Sequence, residues 1–310
     1  MKISIITPCY NASPYITRTI QSVQNQTLTD WEMIVIDDGS TDNSAEIVKT
    51  LAKEDPRIKL FQKENGGSAS ARNLALSIAQ GEYIQFLDSD DTIDCEKIER
   101  QITLMERDNL DISYSDWCFV LPDGTKEKVH GLNFTPVRVL LLWGTLFGAL
   151  PIHAFVYRRH FLTEHKLSFA SAIQEREDWN FHIQVLSNKP RRKRLKGYCA
   201  AYYLRCPTGK TSSFKKIQQG TLRFLLYKIC HTKFWQRVLL TMRLSVVLVE
   251  LCMPTLKRKI NIREDIWPIF STSFTNKLIL IIAILFSPIS VILFVIRVIY
   301  LKIIRTIHLS

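Results

Sequence analysis

Strand and helix signals alternate through the first hundred residues, and this alternation constrains the fold more than any other feature of the chain. Ile3–Ile6, Met33–Ile36, Ile58–Phe61 and Tyr83–Leu87 are short runs rich in β-branched and aromatic residues, of the length and type expected of buried strands. Helix signals lie between them. Ser13 is a candidate N-cap with Pro14 at the first helical position, and Ile16, Ile20 and Val23 recur on one face. Residues 42–52 and 69–79 read as two further helices, the second entered through Gly66-Gly67-Ser68. Repeated βα units imply an α/β fold: a mainly parallel, twisted sheet with helices on both faces. Such sheets bind ligands outside the carboxyl ends of their strands.

The polar motifs of the chain fall at that edge. Thr7-Pro8 follows the first strand, Asp37-Asp38-Gly39-Ser40-Thr41-Asp42 the second, and Asp88-Ser89-Asp90-Asp91 the fourth. Two carboxylates spaced by one residue at a strand end can aim oxygens at a hard cation, Mn²⁺ or Mg²⁺. Such an ion would neutralise a diphosphate and stabilise it as a leaving group. The competing reading is a capping cluster for a helix over Cys95–Glu106, with Asp91 or Asp94 as the cap. A carboxylate of Asp37-Asp38 can accept from a uracil imide or a ribose hydroxyl. The same stretch also reads as a tight turn at Gly39 with Ser40 or Thr41 capping the next helix. Asn65–Asn73 is a glycine-rich helix entry that matches neither the P-loop nor the dinucleotide pattern. Its Arg72 can reach a phosphate or a base, or can form a structural ion pair with nearby aspartates.

Charge divides the chain unevenly. Residues 1–188 hold 18 basic and 26 acidic residues, and residues 189–310 hold 23 and 3. The basic part is interleaved with aliphatic runs and has no stacking platform, which argues against a nucleic-acid partner. Leu278–Ile296 is 19 residues without a charge, roughly 28 Å as a helix and close to one hydrocarbon core. Ser287-Pro288 interrupts it, and basic residues flank both ends. From Arg297 to His308 the basic residues share one side of a helix. This pattern favours a re-entrant or dipping segment and an amphipathic helix on an anionic membrane surface over a full crossing. The same segment offers a surface for oligomer formation. Seven cysteines, an odd number with no C-x-x-C pair, fit a reducing compartment rather than a disulfide framework. The start of the chain, Lys2 followed by a short apolar run and Pro8, does not read as a signal peptide.

Ile5–Asn11, Val35–Asp42, Gly67–Asn73 and Leu87–Asp91, in that order, closely resemble the signature series of family 2 glycosyltransferases. The resemblance is strong over residues 1–115, weaker through 150–215, and does not cover the tail. It implies a GT-A nucleotide-diphospho-sugar fold with a catalytic domain over 1–215 (nucleotide-binding half 1–115, acceptor half 116–215), while the charge and apolar pattern gives a helical membrane-associating tail over 216–310. It places Thr7, Pro8, Tyr10, Asp38, Arg72, Asp88 and Ser89 at the nucleotide, with Asp90 as principal metal ligand and Asp88 as second ligand or ribose contact. Glu175–Trp179 is similar to the family's downstream acidic motif. Asp178 would be the base that deprotonates the acceptor hydroxyl, with Glu177 as the competing candidate. Tyr202–Arg205, followed by Ser212 and Ser213, loosely resembles a stretch that closes over the donor diphosphate, with Arg205 as the contact.

The implied activity is inverting transfer of a sugar from a nucleotide-sugar, a UDP-sugar above others. The acceptor would be lipid-linked or a saccharide, at the cytoplasmic face of the membrane, in cell-surface glycan synthesis. No Q-x-x-R-W sequence is present, which favours single addition over processive synthesis. A sugar nucleotidyltransferase would need a first loop rich in glycine and basic residues, and Thr7–Asn11 is poor in both. A non-enzymatic membrane or nucleic-acid binder is the remaining alternative. His153, His160 and His182 read as structural histidines.

Overall fold

A computed structural model of the chain describes residues 1–120, 124–129, 151–170 and 177–203. The described residues form one sheet with strands β1 (Ile3–Cys9), β2 (Trp31–Asp37), β3 (Ile58–Gln62), β4 (Tyr83–Phe86), β5 (Thr92–Ile93), β6 (Ile112–Val120), β7 (Lys126–Val129), β8 (Phe155–Arg158) and β9 (Arg192–Tyr203). The helices are α1 (Ile16–Gln24), α2 (Ser44–Glu54), α3 (Ser68–Ile78), α4 (Lys97–Arg107), α5 (Arg159–Glu164) and α6 (Glu177–Ser187). The strand order is β3-β2-β1-β4-β8-β6-β9-β5, with β7 on β6.

The first half is the expected βα alternation. β1 pairs in parallel with β2 and β4, and β2 with β3. All seven residues of β2 are buried, as befits a central strand covered on both faces. The chain steps outward from β1 through β2 to β3, then returns across β1 to β4. Right-handed crossovers therefore put α3 on the opposite face from α1 and α2. α3 packs on β1 and β2, and α1 packs on α2. The reversal leaves a switch point between β1 and β4, where ligands of open α/β sheets bind.

The sheet is mixed rather than mainly parallel. β8 runs antiparallel to β4 and β6, β7 to β6, and β5 to β9; β9 runs parallel to β6. Periodicity beyond Asp111 is weak because these strands no longer alternate with covering helices.

Two further expectations shift. α1 begins at Ile16, after a turn over Ser13–Tyr15, so Ser13 does not cap it. Its stripe is as read, with Ile16, Ile20 and Val23 fully buried. The basic run Arg191–Arg194 is largely answered within the fold. Arg191 pairs with Asp111 at 2.8 Å, Lys193 with Asp108 at 2.7 Å and Arg194 with Asp116 at 2.6 Å. Their partners lie on β6 or between α4 and β6, so part of the charge asymmetry in the sequence is cross-strand pairing.

Among the described residues no helix is long and apolar enough to cross a membrane. Arg205, Ser212, Ser213, the apolar run 278–296, the basic segment 297–308 and Glu175-Arg176 lie outside the described residues.

Candidate functional site

The carboxyl ends of β1, β2 and β4 gather the polar motifs. β4 leads into the acidic loop through Leu87, whose N–H donates to Ile6 O at 2.9 Å. The loop is held from α1: Arg18 Nη2 donates to Asp90 O at 2.6 Å, and Thr19 Oγ1 to Ser89 O at 2.9 Å. Asp88, Ser89 and Asp90 are half-buried, and Asp91 is 1% exposed. Burial, with Asp91 and then Asp88 beside it, pushes the Asp90 carboxyl up to about 8. Neither Asp91 nor Asp94 caps α4 with its side chain. The N-cap position falls at Glu96 and has no side-chain cap bond, while Asp94 accepts the Lys97 N–H through its backbone oxygen at 3.0 Å.

Asp38, just after β2, is almost fully buried. Its Oδ1 accepts from Lys63 Nζ at 2.7 Å and Gly66 N at 2.9 Å, and its Oδ2 from Gly67 N at 2.7 Å. Asp38 thus organises the glycine-rich entry to α3. Gly67 sits at φ +84°, where a side chain would be strained. The loop after Asp38 is stitched to the β1–α1 loop: Asn11 N donates to Ser40 Oγ at 3.0 Å, and Thr41 N to Asn11 Oδ1 at 2.8 Å. Ser40 and Thr41 therefore do not cap α2. The N-cap position falls at Asn43 without a side-chain cap bond, and Asp42, just before it, accepts from Ser44 N at 3.0 Å. At the end of β1, Thr7 is completely buried and its hydroxyl has no hydrogen-bond partner among the described residues. Pro8 is half-buried and Tyr10 is 51% exposed.

Arg72 ties the site together. It is 4% exposed, and its Nη2 donates to Asp88 Oδ1 at 2.5 Å while its Nη1 donates to Glu177 Oε1 at 3.0 Å. Its guanidinium lies 5.2 Å from the Phe169 ring centroid. Burial opposes the Arg72 charge, and Asp88 and Glu177 more than offset it, so its affinity for the proton rises further. In the structure Arg72 forms an ion pair with Asp88 and Glu177. Ser68 Oγ also donates to Glu177. One guanidinium consequently joins the end of β4 to the start of α6. Glu177 and Asp178, adjacent in sequence, differ here. Glu177 is 7% exposed and bound by Ser68 and Arg72. Asp178 is half-buried, with its Oδ1 accepting from Trp179 N at 2.8 Å.

Sequence reading missed Arg18, Thr19, Lys63 and Ser68, which hold the site through contacts that span up to 109 positions. His153, read as a structural histidine from the sequence, has its Nδ1 2.9 Å from Asp91 Oδ2.

Among the described residues no three His, Cys, Asp or Glu side chains form a ready metal cage. The donor set still fits a hard divalent ion brought with a diphosphate. Mg²⁺ and Mn²⁺ take one or two carboxylates and complete their shell with phosphate oxygens and water. The raised affinity of Asp90 for its proton, beside Asp88 and Asp91, is the strain a cation would relieve. Asp90 and Asp88 would hold such an ion, and it would supply charge neutralisation at the diphosphate.

The family model described as Glycosyl transferase family 2 matches residues 4–194. An uncharacterized glycosyltransferase of Haemophilus influenzae is 44% identical over 151 residues, 48% of this chain and 60% of that protein. A putative teichuronic acid biosynthesis glycosyltransferase, TuaG, of Bacillus subtilis is 44% identical over 124 residues, 40% of this chain and 49% of that protein. The matched stretch thus spans roughly half the length of each relative. Among solved structures, S. aureus TarS 1-349 in complex with UDP-GlcNAc is similar with a TM-score of 0.66 at 23% identity. That likeness covers 87% of this chain and 80% of TarS 1-349 and shows a common GT-A-like α/β fold.

Proposed function

Because the chain belongs to glycosyl transferase family 2, we propose that it moves a sugar from a nucleotide-sugar, a UDP-sugar above others, to an acceptor hydroxyl with inversion at the anomeric carbon. The observation that carries the proposal is the Asp88–Arg72–Glu177 bridge. It draws the acidic loop and the helix bearing Asp178 to the two sides of one guanidinium. A leaving-group site and a base site thereby become neighbours.

Asp178 is the base and Glu177 is not. Glu177 is buried and committed to Ser68 and Arg72, so its work is to hold the helix start. Asp178 is the more accessible carboxylate of the pair. A sugar hydroxyl is too weak an acid to attack unaided at neutral pH, so a positioned carboxylate lowers the barrier. Attack from the face opposite the departing diphosphate inverts the centre. Asp90 and Asp88 serve the diphosphate side, where Mn²⁺ or Mg²⁺ supplies charge neutralisation when bound. Pro8, Tyr10 and Asp38 take the nucleoside, and Ser89 and Arg205 contribute to the donor site.

The acceptor class, a lipid-linked or polymeric saccharide in cell-surface glycan synthesis, follows the name of the teichuronic acid relative. The UDP-GlcNAc complex of TarS supports the choice of UDP. The basic, apolar tail fits the cytoplasmic face of a membrane, at ~1 kcal/mol per well-placed Lys or Arg.

Asp178→Asn tests the assignment. It abolishes transfer and leaves UDP binding, measured by calorimetry with Mn²⁺, near the wild-type value. Near-normal turnover in Asp178→Asn removes Asp178 as the base.

A further inference from the structure

The acidic loop has an anchor beneath it as well as beside it. His153 lies in the 3₁₀ turn Ile152–Ala154 that precedes β8, and it is completely buried. Its Nδ1 is 2.9 Å from Oδ2 of Asp91, the innermost residue of the loop. Asp91 in turn closes the loop, its N–H donating to Asp88 O at 3.2 Å.

The turn that carries His153 is fixed independently. Gln85 Nε2 of β4 donates to His153 O at 3.0 Å, and Gln101 Nε2 of α4 donates to Ala154 O at 3.1 Å. Lys97, completely buried, donates to the side-chain oxygens of both glutamines. Asp91, His153, Gln85, Lys97 and Gln101 thus form one buried polar layer drawn from four segments of the chain.

Burying an ammonium, an imidazole and a carboxylate is an expensive way to fill a core, and an apolar set of the same volume is often more stable. What such a layer supplies is a single arrangement, because any slip moves a buried polar group from its contact; between His153 Nδ1 and Asp91 Oδ2 that contact is a close approach at 2.9 Å without hydrogen-bond geometry. The element fixed in place here is the loop that carries Asp88 and Asp90.

We propose that His153 is a positioning residue for the donor site: through Asp91 it fixes the shape of the Asp88–Asp91 loop, and so the spacing of the carboxylates that meet the metal and the diphosphate. The inference rests on the donor-site reading above. His153 itself touches no substrate. Partners in the layer around a metal site are worth about 10–100-fold in metal affinity.

The test uses the full chain and two readouts besides activity. Electron paramagnetic resonance of free Mn²⁺ at saturating UDP reports metal affinity. Amide exchange over residues 87–94 without metal reports the loop. His153→Leu weakens Mn²⁺ by at least about tenfold and speeds exchange at 87–94, while residues 31–37 of β2 are unchanged. His153→Gln, which keeps a donor toward Asp91, recovers most of both losses. Asp91→Asn, which keeps the shape and removes the charge, leaves exchange at 87–94 near wild type. Wild-type affinity and exchange in His153→Leu overturn the proposal. If His153→Leu fails to fold, His153→Gln and Asp91→Asn decide. If the wild-type chain takes up no Mn²⁺ with UDP, the donor-site reading fails, and the exchange arm alone decides the loop claim.

Discussion

Replacing Arg72 with Met keeps most of the side-chain volume and removes the charge that joins two carboxylates. The two partners lose different amounts. The Asp88 side chain is 30% exposed and can turn toward water, whereas that of Glu177 is 9% exposed and cannot. Breaking a buried pair by removing one partner costs about 3–5 kcal/mol, because the other charge stays buried and uncompensated. For a domain of about 200 residues each kcal/mol lowers the midpoint by roughly 2–4 °C, so a fall of about 6–20 °C is expected. Arg72→Lys retains the charge but not the fork. It should lose one charge-assisted bond, about 1.5–3 kcal/mol. Adding Glu177→Gln to Arg72→Met should restore part of the loss, because the stranded charge is gone. Urea and thermal unfolding of the four proteins measure these terms. A loss below about 1 kcal/mol in Arg72→Met, or no recovery in the double variant, would refute the view of Arg72 as a buried clamp.

Further outcomes follow from the same structure. Asp90 titrates near 8 in the metal-free protein, so it binds a proton that the unfolded chain releases near its ordinary range. Its contribution to stability is present at low pH and declines as pH rises from about 4 to 8. Asp90→Asn should therefore raise metal-free stability at pH 8, by roughly 1–4 kcal/mol; an unchanged or lower midpoint contradicts this. For the same reason Mn²⁺ must displace a proton below pH 8, and its affinity should climb up to tenfold per pH unit between 6 and 8, with calorimetry in buffers of different ionisation enthalpy counting the proton. Gly81→Ala should destabilise by at least about 1–3 kcal/mol, because a Cβ there would stand 2.4 Å from Ser4 N and 2.5 Å from Ile3 C, both backbone atoms; a wild-type midpoint in that variant refutes the close approach. From the apolar and basic pattern of residues 216–310 in the sequence, the full chain should pellet with membranes, resist high salt in part and come off with detergent, and complete recovery in the soluble fraction without detergent contradicts membrane docking.

The legible part of this protein was the part built from local pattern. Ile16, Ile20 and Val23 marked the buried face of α1, and the Asp88–Asp91 cluster stood at a strand end where the sheet reverses. The glycine-rich entry to α3 was visible as well. What sequence left open was which polar group answers which. Arg72 could serve a ligand or an ion pair, and its bond to Glu177, 105 residues away, has no local sign in the sequence. Asp178 and Glu177 are adjacent in sequence, and only burial separates them. His153 looked structural because nothing in its neighbours hints at Asp91. The antiparallel pairings of β8, β7 and β5 depend on long-range contacts with no period of their own.

The account turns on metal-assisted use of a nucleotide-sugar, and the direct measurement is release of nucleoside diphosphate by the full chain from a panel of UDP-, GDP- and TDP-sugars with Mn²⁺ or Mg²⁺. It predicts release from a UDP-sugar that requires the metal and falls sharply in Asp90→Asn. Absence of metal-dependent release or binding for every sugar nucleotide on the panel would contradict it.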